Sequence, residues 1–88
     1  MPRVVLDREA YDERYAIMLE AGEHDSVAIL GASNCAHNTP FARAATALAN
    51  GDLEPAKEMC RREAERHGRE RGVELMRALQ EAVRESIT

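Results

Sequence analysis

The residues with the most obvious chemistry are two cysteines and three histidines: Cys35 and Cys60, with His24, His37 and His67. Thiolate and imidazole are the ligands zinc prefers, so Cys35, His37, Cys60 and His67 form a candidate metal set, with His24 as a spare. Their spacing argues the other way. A helix chelates through side chains at i,i+3 or i,i+4, whereas Cys60 and His67 stand two turns apart, about 10 Å along a helix. Cys35-Ala36-His37 lacks the two- to four-residue gap of a zinc knuckle. The plainer reading is two ordinary thiols, one histidine at a helix edge and two histidines in loops.

Cys35 also raises nucleophilic chemistry, since His37 and the helix start at Thr39-Pro40 would both favour its thiolate. Residues two apart in a loop need not converge, and so short a chain rarely closes a dry pocket. No residue is therefore assigned a catalytic role, no cofactor is expected, and the chain is read as a non-enzyme. The same helix start, with Ser33 and Asn34 beside Thr39, is a candidate seat for a small anionic ligand, because a helix N-terminus presents free N–H groups.

Arg61, Arg62, Arg66, Arg69 and Arg71 could grip phosphates from one helix, but Glu58, Glu63, Glu65 and Glu70 are interleaved and erase the basic field. Ala47 and Gly51 have the offset of a helix-turn-helix turn. The helix that would read DNA begins Asp52-Leu53-Glu54-Pro55, whose acids repel a phosphate backbone. Ala44, Gly51-Asp52-Leu53, Ala56 and Ala64 are similar to one hairpin of a tetratricopeptide-type repeat. The likeness covers about residues 39–64, occurs once and is without the large aromatics of such repeats. It implies an antiparallel helix pair and carries no function.

Stepping along the chain gives the elements that would position these residues. Residues 1–6 read as an extended arm. Asp7 caps a helix from about Arg8 to Ala21, with Tyr11, Tyr15, Met18 and Leu19 on one side and Gly22 as its stop. Val27-Ala28-Ile29-Leu30 reads as a short helix and residues 31–38, Gly-Ala-Ser-Asn-Cys-Ala-His-Asn, as a polar loop. Thr39-Pro40 starts a helix to about Ala49. From about Leu53 to Ile87 a stripe of Ala56, Cys60, Ala64, Gly68, Gly72, Met76, Leu79 and Val83 predicts one long helix, with Glu58–Arg62 and Glu65–Arg69 pairs on its flanks. Gly68 and Gly72 would either break it or admit a close neighbour; their place on the apolar stripe favours the unbroken helix.

The expected fold is all-α, one domain over residues 1–88 with three to four helices and a long C-terminal one. Val, Ile, Leu and Phe number only 16 residues while Ala supplies 15. So thin a set makes a shallow core, and a small domain buries only about 60% of its unfolded surface. A partner or second copy would supply the missing burial. The pI of about 5.3 and net charge of −4 count against nucleic acid and anionic membranes as targets. No apolar run reaches the ~20 residues of a membrane span, and the polar N-terminus and two cysteines fit the cytoplasm.

The function expected is that of a non-enzymatic protein–protein interaction protein, such as an accessory subunit, adaptor or inhibitor. It would self-associate or dock through an Ala/Met/Leu helix face made of Gly68, Gly72, Val73, Met76, Leu79 and Val83. The alternatives are a metal-binding or thiol-based regulator using the Cys/His set, and an anion binder at Thr39-Pro40.

Overall fold

A computed structural model describes residues 2–87. Met1 and Thr88, the ends of the expected arm and domain, lie outside the described residues. Five helices follow in order: α1 (Arg8–Glu20), α2 (Asp25–His37), α3 (Pro40–Ala49), α4 (Glu54–His67) and α5 (Arg69–Ile87). The all-α class is as expected; the count exceeds three to four because the C-terminal stretch is two helices, and the middle helix is longer than the sequence reading has it.

The middle differs because packing overrides local polarity. Residues 31–37 are helix, not loop. Ala28, Ala32 and Ala36 recur every fourth residue and are fully buried, on a helix whose main neighbour is α1. Gly31 takes the Met18 thioether: a Cβ there would stand 2.5 Å from its sulfur. Burial of this small-residue face outweighs the weak helix propensity of Gly31, Ser33 and Asn34. Tyr11 stacks on Tyr15 along α1, and the Tyr15 hydroxyl donates to Asp25 at the start of α2. That hydrogen bond, then burial and the Asp25 charge, hold the Tyr15 phenol above its ordinary pKa.

The C-terminal stretch differs because Gly68 ends α4. Its φ of +98° and ψ of 158° belong to a region that is essentially glycine-only, and the chain turns back on itself there. Glu65 consequently pairs with Arg61 at 2.5 Å and not with Arg69, while Glu58 bonds both Arg61 (2.6 Å) and Arg62 (3.1 Å). Gly72 then lets α5 lie close on α4, since a Cβ there would meet Ala64 Cβ and the Cys60 carbonyl at 2.9 Å. The two glycines therefore have separate duties: one breaks the helix and the other admits the neighbour, which is the chain's own α4.

Helices α3, α4 and α5 pack on one another around Leu79, Ala44, Ala45, Ala56 and Cys60, with Phe41, Leu48, Met59 and Leu75 at the margin. The N-terminal arm completes this core. Val5 is 1% exposed within it. Its backbone is held by Thr46, whose Oγ1 accepts from Val5 N (3.0 Å) and donates to Val5 O (3.3 Å). Asn50 repeats the arrangement on Arg3, at 2.8 and 2.9 Å. An extended chain alternates its faces, so Arg3 and Val5 turn their backbones to α3 while Val4 and Leu6 stay exposed.

The radius of gyration is 14.3 Å and the extents are 41 × 33 × 18 Å. A compact chain of 88 residues would have a radius of gyration of about 12 Å. The molecule is thus flat, about two helices thick at ~10 Å per helix. Gly68→Ala should lower stability by about 1–3 kcal/mol, the cost of a side chain in that backbone region. In an unbroken helix the same change would raise stability by about 1 kcal/mol. Urea unfolding followed by far-UV circular dichroism reads the sign.

Candidate functional site

The fold disperses the residues that share chemistry. Cys35 is exposed on α2, whereas Cys60 is buried in the α3–α5 core. His37 follows Cys35 by two positions on one helix, about 200° round its axis at 3.6 residues per turn, so the two cannot converge. His67 is exposed at the last residue of α4, two turns beyond Cys60. Among the described residues no group of three or more His, Cys, Asp or Glu side chains could hold a metal ion. Burial, with a smaller contribution from the Glu63 charge, pushes the Cys60 thiol above its ordinary pKa. A protonated, buried thiol is a poor nucleophile and a poor ligand.

The helix start at Thr39 is already filled from within. Thr39 Oγ1 accepts from Ala42 N at 3.0 Å, capping α3, and donates to Asp7 Oδ2 at 2.9 Å. The other oxygen of Asp7 accepts from Ala10 N at 3.1 Å and caps α1. One carboxylate thus serves the N-terminal ends of two helices, which is where a negative charge is most stabilising. An incoming anion would meet that carboxylate. Ser33 and Asn34 sit within α2, and the Asn34 carbonyl accepts from Asn38 Nδ2 at 2.7 Å. The three residues therefore do not form an open anion seat.

The α5 face expected to meet a partner is turned largely inward. Leu79 is 0% exposed and Gly72 is buried, while Met76 and Val83 are half-buried against the core. Val73 is 43% exposed, and Gly68 is exposed at the joint with α4. The stripe is covered because the break at Gly68 lets α4 fold onto α5, with α3 packing on both. A single unbroken helix would have left it bare.

The bare apolar surface lies elsewhere. Helix α1 contains no buried residue and packs on α2 alone among the described helices; α2 in turn touches only the adjoining α3. Ile17, Leu19, Val27, Ile29 and Leu30 remain between 42% and 65% exposed on this hairpin. The run at residues 27–30, expected as a short helix, lies in α2 with only Ala28 buried. The fourfold spacing of Ala28, Ala32 and Ala36 was the signal that a narrow alanine face would be buried, leaving the larger side chains outside.

Charge divides along the same line. The first 25 residues hold seven acids and three arginines, and the remaining 63 hold nine acids and nine bases. The whole net charge of −4 therefore belongs to the arm and the α1–α2 hairpin. On α4 Arg61 pairs with Glu58 and Glu65 and Arg62 with Glu58, and the Arg61 guanidinium hydrogen-bonded to Glu58 draws that carboxyl below the usual carboxylate range. No helix of the described residues is long and apolar enough to cross a membrane.

A thiol-disulfide reagent should label Cys35 at the rate of a free thiol and Cys60 at least tenfold more slowly until the protein is unfolded. Mass spectrometry of the labelled peptides checks the order; equal rates would contradict the burial of Cys60. Against protein-family models, curated proteins and solved structures alike, the chain finds no match.

Proposed function

We propose that this chain is a non-enzymatic interaction protein, an accessory subunit, adaptor or inhibitor, and that it docks through the α1–α2 hairpin. The observation that carries the reading is the half-exposed set Ile17, Leu19, Val27, Ile29 and Leu30 on a helix pair with no third layer over it. A helix buries an apolar stripe against a neighbour, and stable folds complete such a pair with further packed elements. Apolar side chains left on a helix pair without a covering layer are where a further packed element would add burial. Each of these side chains would contribute roughly 25 cal/mol per Å² on being covered.

The charge distribution favours a different protein over a second copy. A symmetric dimer usually places the same patch of both subunits face to face. Here that would bring two acidic hairpins together, and like charges across an interface are costly. A partner with an apolar centre and a basic rim fits the surface.

Leu30→Glu should abolish capture of the partner from a host extract, while Val73→Glu on α5 should leave it intact. Both positions are exposed, so neither variant should shift stability by more than about 0.5 kcal/mol. Capture lost with Val73→Glu and kept with Leu30→Glu would return the docking face to α5 and refute the hairpin reading.

A further inference from the structure

A second surface is shaped for a ligand. Between the arm and the C-terminal turns of α5 lies a groove of about 670 Å³. A volume of roughly 300–1,000 Å³ accommodates a drug-sized ligand or a few side chains. Val5, Phe41 and Ala82 give the groove an apolar lining, and Ala78 is an exposed part of its wall. The charged residues of its wall are Asp7, Glu9, Glu81 and Glu85 against Arg8. Asp7 is engaged by Ala10 and Thr39, and Arg84 reaches Glu81 at 3.6 Å. With Arg84 counted, acids still outnumber bases along the groove.

We infer that this groove seats a basic amphipathic segment of a partner protein. One or two large apolar side chains of the segment enter beside Phe41 and Ala82, and its lysines or arginines lie along Glu9 and Glu81. Apolar contact supplies the affinity and the carboxylates supply orientation and rate of encounter. A second copy is the poorer match, because its arginine cluster at residues 61–71 is interleaved with Glu63, Glu65 and Glu70. Beyond residue 25 its acids and bases are equal in number, and Arg61 and Arg62 are already paired with Glu58 and Glu65.

The test is fluorescence anisotropy with a labelled peptide of leucine and lysine at amphipathic helical spacing, and an analogue with glutamate in place of lysine. The chain should bind the lysine peptide and not its analogue. Ala78→Trp, which fills the groove, and Glu81→Lys should each weaken binding at least tenfold. Glu70→Lys makes the same charge change near the opposite end of α5 and should leave binding within twofold. All three positions are exposed, and matched melting curves confirm folding.

No binding by the wild type, or equal weakening by Glu70→Lys, would overturn the proposal. So would a dimer, seen by light scattering, that Glu81→Lys dissociates, because the occupant would then be a second copy. The groove shares no residue with Ile17, Leu19 or the exposed face of α2. Leu30→Glu should therefore leave peptide binding unchanged, and the two proposals fail separately.

Discussion

The carboxylate of Asp7 joins the parts of this molecule. One oxygen caps α1 through Ala10 N, and the other accepts from the hydroxyl of Thr39, which itself caps α3. The backbone N–H of Asp7 donates to Ala36 O at 3.1 Å, at the end of α2. Three helix termini thus meet at one residue, and each orphan group satisfied there would otherwise face water or go unpaired. Two residues earlier, Val5 fills the core of α3–α5, its backbone clamped by Thr46. The arm is consequently structural: it ties the hairpin to the three-helix core and supplies one of that core's largest fully buried side chains.

Scarcity of large aliphatic residues explains the shape. With so much of the apolar content in alanine, helices can approach closely but bury little area per contact, and burial is what stabilises. Within α3–α5 the shortage is met by Leu79 and Val5 at the centre and by Phe41, Met59 and Leu75 around them. The α1–α2 pair meets it only on its inner face, with Ala28, Ala32 and Ala36 against α1 and Met18 against Gly31. Its larger side chains remain outside. The flatness of the molecule and the uncovered apolar side chains of the hairpin are two aspects of one composition.

The helix starts and stops were legible in the sequence because they are local chemistry. Asp7, Thr39-Pro40, Gly22 and Gly51 act through their own backbone conformation and nearest N–H groups, and α1 and α3 begin and end within a residue of expectation. Two features were not legible. The stretch Gly31–His37 is composed like a loop, and only its contact with Met18 and the facing helix makes it helical. Gly68 and Gly72 lie on the same stripe four residues apart, yet one breaks the helix and the other packs inside it. Nothing local separates those roles; the fold-back of α4 does. The site followed the same pattern, since a stripe expected to need a partner found one in its own chain.

Helices α3–α5 with the arm form the closed part of the molecule, and α1–α2 an uncovered one. Hydrogen exchange of the free protein, resolved by helix, measures this directly, because local opening free energy follows buried contact. Amides of α3, α4, α5 and Val5 should exchange at least tenfold more slowly than those of α1 and α2. Equal protection across all five helices would mean that the hairpin is covered as well as the core, and would contradict this division of the molecule.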